Sequence, residues 1–359
     1  MAARSGAQKV RLAVVGAGRI GRRHVQLVRS SALCDLAAIV DPDPGAAALA
    51  RSAGVAWHAD LAALLRGELP DGIIVATPNS MHLAHGLACI EARLPALIEK
   101  PIATSVGDGM GLAVAAEQSG VPLLIGHHRR HSPILARGQE IVRSGALGDI
   151  VAILGTALFF KPDDYFESAP WRRLPGGGPI LINMVHEIDD LRALCGDIDS
   201  VGAMSSSAVR GFPVEDTVAI TLRFASGALG TFLLSDTAAA PWSWEQTSGE
   251  DASYAAYPGE DCYRIVGTRG SLSMPSLRVW AIRGAPNWAE PLGVSRVRLP
   301  SVDPLVRQLE HFCAVVRGDA APFVTARDAT ETLRVTLAIT QAAMSGTQMA
   351  TSPESPKAD

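Results

Sequence analysis

The sequence predicts an α/β protein: an N-terminal, doubly wound parallel sheet followed by an α+β domain with a large, predominantly antiparallel sheet. Three observations favour this class. Strand and helix patterns alternate from residue 10 to about 126, long consecutive strands with short turns follow, and 359 residues exceed what one core usually serves. We expect domains at 1–127 and 128–350 and a disordered tail over 351–359.

The N-terminal strands are short apolar runs separated by helical patterns. This alternation is typical of βαβ units, whose strands pair in parallel. The expected strands begin near Val10, Leu36, Val55, Ile73, Ala96 and Val121.

A glycine-rich turn follows the first strand and opens the first helix. Gly16 allows a tight turn, Gly18 lets the backbone approach a pyrophosphate, and Gly21 permits close helix packing. The phosphates would lie at the helix N-terminus, beside Arg19 and Ile20. This context predicts a Rossmann fold that binds a dinucleotide.

Asp41 ends the second strand, about 20 residues after the last glycine. A carboxylate there is expected to bind the adenosine ribose; the alternative is a helix-capping residue in a generic βαβ unit. The carboxylate of Asp41 favours NAD over NADP because it would repel the 2′-phosphate of NADP. No Ser-Arg pair follows it, and Arg51 lies too far along the next helix to replace one.

Lys100 directly follows the apolar strand Ala96–Glu99 and precedes Pro101, so its amine should reach the crevice beyond the sheet. It is therefore a candidate both for catalysis and, with Glu99, for cofactor contact. The fourth strand ends in Thr77, Pro78 and Asn79, which are expected beside the cofactor unless they merely form a turn. His82, on the next helix, is a further candidate or a packed histidine.

Composition indicates a small-molecule partner. The net charge of −4 and the pI near 6.1 disfavour nucleic-acid binding. The N-terminus lacks an apolar leader, and no apolar run reaches the length of a bilayer span, so we expect a cytoplasmic protein with no membrane partner. The five cysteines are scattered, which argues against disulfides or a zinc ribbon.

A histidine-rich segment, residues 127–131, resembles a metal site at first sight. However, no cysteine or carboxylate lies at ligand spacing, so we expect no metal. His128 is instead expected near the cofactor, and Arg129 or Arg130 in contacts of the domain linker.

The C-terminal half begins with a helix at 134–144, a long strand at 150–160, a Gly/Pro-rich loop and a helix at 180–194. Alternating patterns then predict strands at 200–209, 216–224 and 228–236, shorter strands near 263, 271 and 278, and helices at 304–317 and 326–343. The aromatic stretch 238–261 is expected to be an irregular, binding loop. Helices on one face of this sheet leave the other for a second subunit, which predicts a homodimer or homotetramer.

Taken together, these motifs resemble the glucose-fructose oxidoreductase / inositol dehydrogenase / MocA family over nearly the whole chain. The resemblance is carried by the glycine turn, Ala76-Thr77-Pro78-Asn79 with His82, Glu99-Lys100-Pro101, and Gly176-Gly177-Gly178 leading into His186. It implies bound NAD(H) or NADP(H), oligomer contacts through the C-terminal sheet, and reversible oxidation of a secondary alcohol of a sugar or cyclic polyol.

One position departs from the family pattern. The family usually carries an Asp four residues before the histidine, and here that position is Ile182, with Asn183 next to it. On a helix Asn183 and His186 share a face. Because an amide cannot act as a base, we expect Asn183 to bind substrate and His186 to depend on another carboxylate, water or Lys100.

Alcohol oxidation requires removal of the hydroxyl proton while a cation stabilises the developing alkoxide. Lys100 and His186 suit these two tasks, and the sequence leaves open which residue performs which. Aromatic and basic residues ahead of the glycines and in the later loop are candidates for the sugar pocket, or else core or interface residues. They are Lys161, Tyr165, Trp171, Arg172 and Trp242, with Trp244 and Glu245 beside them.

Two other functions are compatible with the motifs. An NAD-dependent glycosidase would oxidise the sugar transiently and show no net cofactor turnover. A non-catalytic cofactor sensor would have no need of a paired amine and imidazole. Neither HExxH nor GxSxG occurs, so zinc proteolysis and serine hydrolysis have no support.

Overall fold

The computed structural model describes residues 9–351. These residues form two compact units, the first comprising 9–128 with Pro304–Leu333 and the second comprising Arg129–Asp303 with 334–351. Residues 304–333 thus group with the parallel sheet rather than with the expected second domain. The reason is packing: Phe312 is fully buried, and it and Val316 lie against Gly72 of the parallel sheet.

The first unit contains a six-stranded sheet in the order β3-β2-β1-β4-β5-β6, with every neighbouring pair parallel. The order reverses between β1 and β4, which is the position where such sheets bind ligands at the carboxyl ends of their strands. The strands are β1 (Val10–Val15), β2 (Cys34–Val40), β3 (Ala56–His58), β4 (Gly72–Val75), β5 (Ala96–Glu99) and β6 (Leu123–Gly126).

Three helices of this unit begin at residues whose side chains cap them. Asp43 accepts a hydrogen bond from Gly45 N with Pro44 in the first turn, and Ser105 accepts one from Asp108 N. The helices between its strands are α1 (Arg19–Ser30), α2 (Pro44–Ala53), α3 (Leu61–Leu65), α4 (His82–Glu91) and α5 (Val106–Ser119).

The second unit is built on a ten-stranded sheet in which β7 pairs with β10 in parallel and the other pairs are antiparallel. The strands are β7 (Ile150–Phe160), β8 (Ile198–Ser206), β9 (Thr217–Phe224), β10 (Leu229–Ser235), β11 (Thr237–Trp242), β12 (Tyr263–Gly267), β13 (Gly270–Met274), β14 (Arg278–Ala281), β15 (Gly293–Arg296) and β16 (Met349–Ala350). The predicted fold class is confirmed.

Burial alternates along β9 and β10, so one face of this sheet lies on the core and the other faces outward. The remaining helices are α6 (Pro133–Arg143), α7 (Asp163–Glu167), α8 (Val185–Cys195), α9 (Trp244–Ser248), α10 (Pro304–Arg317) and α11 (Ala326–Ser345). Ile188, Leu191 and Leu194 of α8 pack into this core. Within residues 9–351, no helix has the length and hydropathy needed to cross a bilayer.

Three local expectations need correction. The helix predicted at 180–194 begins as a π-helix, Ile180–Met184, before α8. The stretch 238–261 is not wholly irregular, since most of β11 and all of α9 lie within it, and β11 pairs with β7. In the predicted tail, Thr351 is buried and its N–H donates to Asp199 O, while residues 352–359 lie outside the described part of the chain.

Candidate functional site

The glycine turn has the geometry that a diphosphate needs. Gly16 has φ +95°, and a Cβ there would lie 2.5 Å from Ala76 O, while a Cβ on Gly21 would lie 1.9 Å from Gly16 O. A Cβ on Gly18 would meet no described atom within 4 Å. Gly18 is the N-cap of α1, so the first amides of that helix face this open space beside the exposed Arg19.

Asp41 follows β2 and is tied to the same turn. Its Oδ2 accepts a hydrogen bond from Ala17 N at 2.6 Å, and its Oδ1 accepts one from Asp43 N at 2.8 Å. Each carboxylate oxygen retains a lone pair, which suits the two hydroxyls of a ribose. The second carboxylate, Asp43, adds negative charge, which disfavours a phosphate there.

Glu99 is the last residue of β5, and Lys100 directly follows the strand. Glu99 is buried, and its Oε1 lies 2.7 Å from His24 Nε2 on α1, while its Oε2 accepts from Lys100 N at 3.2 Å. Burial raises the pKa of Glu99, but the His24 hydrogen bond and the nearby positive groups outweigh burial and leave it below its usual value. The carboxylate therefore anchors the backbone of Lys100 to the helix that begins at the glycine turn.

His82 is fully buried, which agrees with the packed histidine that the sequence offers as the alternative to a cofactor contact. Its Nδ1 lies 2.8 Å from Pro101 O and its Nε2 lies 2.9 Å from Thr77 O. Burial lowers the pKa of this imidazole. With both nitrogens against main-chain carbonyls, His82 links the loops after β4 and β5.

The other candidates of the first unit surround these loops. Thr77 is half-buried and lies 3.2 Å from His85 Nδ1, Pro78 is exposed, and Asn79 begins a short 3₁₀ turn. His128 begins the 3₁₀ turn after β6, and its charge contributes to the environment of Glu99. The candidates that follow β1, β2, β4, β5 and β6 thus share the carboxyl edge of one sheet.

In the second unit, Lys161 follows β7 and is 6% exposed. Its Nζ donates to Asn183 Oδ1 at 2.6 Å and lies 3.6 Å from Asp236 Oδ2. Burial lowers the pKa of Lys161 to about 8, although Asp236 acts in the opposite direction. The sequence named Lys161 and Asn183 separately, and the structure brings them together.

Aromatic rings border this pair. The Nζ of Lys161 lies 5.0 Å from the centre of the Tyr165 ring, and the guanidinium of Arg172 lies 3.8 Å from the same ring. Trp171 is 51% exposed. Trp242 lies on β11, is half-exposed, and donates from Nε1 to Glu260 at 3.0 Å.

His186 is buried on α8, and Asn183 lies in the π-helical turn just before it. The residues after His186 form a charged cluster around Arg129, which is 3% exposed. Its Nη1 lies 2.9 Å from Glu187 and 3.0 Å from Asp190, and Tyr263 Oη contacts both carboxylates.

Arg130 extends this network with two hydrogen bonds to Asp189, at 2.8 and 3.1 Å. Glu245 pairs with Arg129, and Trp244 stacks on Tyr263 in the core. Burial raises the pKa of Asp190 to about 8, with Arg129 opposing it. The two arginines thus fix α8 and hence the position of His186.

Sequence reasoning missed His24, Asp236, Arg210 and Glu215. Glu215 accepts from Ile180 N at 2.9 Å at the start of the π-helix, and a Cβ on Gly178 would lie 2.7 Å from it. His24 carried one usable signal, a polar residue on the buried face of an amphipathic helix. The other three lie around β9 and β10, and only the fold brings them to Lys161 or the π-helix.

The geometry of the first unit defines a dinucleotide-binding α/β protein. Comparison with known proteins identifies the class further: the NAD-binding Rossmann fold of an oxidoreductase family matches residues 10–127, and the GFO/IDH/MocA C-terminal domain matches residues 135–273. The chain belongs to the Gfo/Idh/MocA family of oxidoreductases. It is an NAD-binding enzyme that acts on CH–OH groups, as predicted.

The similarity to known proteins covers almost the whole chain. The rhizopine catabolism protein MocA of Rhizobium meliloti is 28% identical, covering 93% of this chain and 95% of its own. The scyllo-inositol 2-dehydrogenase (NAD(+)) of Bacillus subtilis is 27% identical, covering 94% and 95%. The WlbA dehydrogenase of Chromobacterium violaceum, solved with NADH and UDP-GlcNAcA, has the same fold, with a TM-score of 0.77, 24% identity and 97% of each chain covered.

Proposed function

We propose that the protein oxidises a secondary alcohol of a sugar or cyclic polyol by reversible hydride transfer to NAD. One observation carries the proposal: the segment bearing Lys100 is anchored through Glu99 and His24 to the helix that starts at the glycine turn. An amine held at the cofactor edge suits alcohol chemistry. The scyllo-inositol 2-dehydrogenase of Bacillus subtilis, which is similar in sequence, supports a cyclic polyol or sugar as the substrate class.

Lys100 and His186 divide the two tasks of the reaction. One stabilises the oxygen as it loses its proton, and the other accepts that proton. NAD, when bound, supplies the hydride acceptor. The Arg129 cluster holds the helix of His186, and Asn183 binds a substrate hydroxyl. For reduction of the ketone the same groups act in reverse, returning the proton.

The test is an assay with NAD and a panel of polyols, sugars and aryl glycosides. Absorbance at 340 nm and aglycone release are followed together. NADH formation with a polyol or sugar supports the proposal. Aglycone release without net NADH would replace it with a glycosidase, and NAD binding without either product would replace it with a sensor.

We also propose that the partner includes a second copy of the chain, in a homodimer or homotetramer. The outward face of the second unit's sheet carries apolar side chains: Leu154 is 46% exposed, Leu229 53% and Leu233 41%. Burying this face would remove apolar surface from water. Light scattering at micromolar concentration tests the oligomeric state, and a monomeric wild type would contradict the proposal. The double variant Leu229→Glu with Leu233→Glu should weaken assembly.

A further inference from the structure

Lys161 occupies a setting unusual for a lysine. Its side chain is almost fully buried, between the rings of Phe159 and Tyr165, at 5.5 and 5.0 Å from Nζ. Its short hydrogen bond goes to a neutral amide, Asn183 Oδ1, at 2.6 Å. The nearest carboxylate oxygen, on Asp236, lies at 3.6 Å. A buried ammonium is usually compensated more fully than this.

Asp236 is shared with a stronger cation. Arg210 Nε donates to Asp236 Oδ1 at 2.8 Å, and Arg210 Nη2 donates to Lys161 O at 2.8 Å. The guanidinium therefore takes up much of the negative charge that Lys161 would need. The other charged groups that bear on Lys161 are Glu245 and Arg172, with Glu215 close enough to be influenced by it. Burial lowers the Lys161 pKa to about 8, Arg172 acts in the same direction, and Asp236 and Glu245 oppose the shift.

The charge on Lys161 fixes the direction of the Asn183 amide. An ammonium has three donors and no acceptor, so only the amide oxygen of Asn183 can face it. The amide NH₂ group is then directed to the other side. A neutral amine, by contrast, has a lone pair and can accept from that NH₂ group, so the preference for one orientation is lost.

We propose that Lys161 is a positioning residue that sets substrate recognition through Asn183. Its protonated amine holds the Asn183 oxygen, so that the Asn183 NH₂ group is presented to a hydroxyl oxygen of the substrate. Loss of the proton releases the amide and weakens binding of the alcohol. The inference deepens the proposed function and rests on it, because it assigns this hydroxyl to the sugar or polyol.

The amide can be observed without any turnover. The chain has only three asparagines, Asn79, Asn183 and Asn287, so selective ¹⁵N-asparagine labelling gives three side-chain amide signals. Asn183→Asp identifies one of them, and the other two serve as internal controls. We expect the Asn183 signal alone to shift with pH, with a midpoint near 8.

Two variants decide the cause of that shift. Lys161→Arg keeps a positive charge that does not titrate in this pH range, and Lys161→Met removes the positive charge. In neither variant should the Asn183 amide signal shift with a midpoint near pH 8. If Lys161→Met fails to fold, Lys161→Arg still tests the inference. An Asn183 signal that does not change between pH 6.5 and 9.5, or one that titrates equally in Lys161→Arg, would overturn it.

Kinetics provide the second measurement. For a substrate found in the panel, KM for the alcohol should rise with pH in the wild type and stay flat in Lys161→Arg. Below about pH 8, Lys161→Met should raise KM roughly tenfold over the wild type, with kcat within a few-fold, as for loss of one substrate hydrogen bond, and its KM should not depend on pH. An unchanged KM would contradict the inference. If no alcohol is turned over, the proposed function fails, and the amide titration still decides whether Lys161 orients Asn183.

Discussion

Lys100 and Lys161 each follow a strand directly and each precede a proline, yet their surroundings differ. Lys100 ends a four-residue parallel strand and is half-buried, and its neighbour Glu99 is held by His24. Lys161 ends an eleven-residue strand in the mixed sheet, is buried, and is bonded to Asn183. The same Lys-Pro pair after a strand thus gives one amine that is half-buried and another that is enclosed beside Asn183.

The difference extends to the other polar groups. In the first unit Asp41, Thr77 and Lys100 follow strand ends at one edge of the sheet and are only partly buried. In the second unit, ionisable groups such as Arg129 and Asp190 are enclosed by protein and hold the helix of His186. Replacement of these enclosed groups should therefore affect recognition or stability, whereas replacement of Lys100 should affect chemistry.

The largest effect is expected for Lys100→Ala. Turnover should fall by roughly 10² to 10⁴ while NAD affinity stays within a few-fold, because a positioned acid/base or electrostatic group is lost. Steady-state kinetics with NAD titration measure both. Lys9→Ala, at an exposed ion pair with Asp35, is the matched control.

His186→Ala should act in the same direction but less severely, and the double variant should be less than additive if both residues serve one proton transfer. The comparison fails if folded Lys100→Ala retains near wild-type turnover. Lys100 would then be a structural cation at a strand end.

The next effect concerns cofactor choice. NAD should be preferred over NADP by at least about tenfold, because loss of ribose hydrogen bonds and charge repulsion together cost on the order of 1.5 to 3 kcal/mol. Asp41→Ala should narrow the preference, as measured by kcat/KM for each cofactor. Asp60→Ala removes a helix cap elsewhere in the unit and should not change it. Equal use of NADP by the wild type would refute the assignment.

A smaller effect is expected on stability in the second unit. The folded Asp190 carboxyl has a pKa of about 8 and so keeps its proton at neutral pH, whereas the unfolded one loses it near pH 4. The contribution of Asp190 to the free energy of unfolding is fully present below about pH 4. It is lost as pH rises through about 8, by at most about 1.4 kcal/mol per pH unit. Urea unfolding at pH 6 and pH 8.5 measures this loss. Asp190→Asn should reduce the pH dependence; an identical slope would count against the assignment.

The sequence identified the parallel sheet and its ligand edge because those features are local. A glycine that needs φ +95°, or a carboxylate at a strand end, is visible in a few neighbouring residues. The environment of Lys161 was not visible, because Asn183 and Asp236 are 22 and 75 positions away along the chain. The contacts of His82 were hidden for a related reason, since only the folded loops show that main-chain carbonyls lie against both ring nitrogens.

The burial of Lys161 also bears on chemical modification. Of the 32 basic residues only four are lysines: Lys9, Lys100, Lys161 and Lys357. Lys357 lies outside the described residues, Lys9 is 46% exposed, and Lys161 is enclosed. An acylating reagent at limiting dose should therefore modify Lys9 before Lys161. Because few amines compete for the reagent, peptide mapping of the acylated protein would report the accessibility of the Lys100 side chain. If bound NAD protects this amine from acylation, the decrease would be measured in a single peptide.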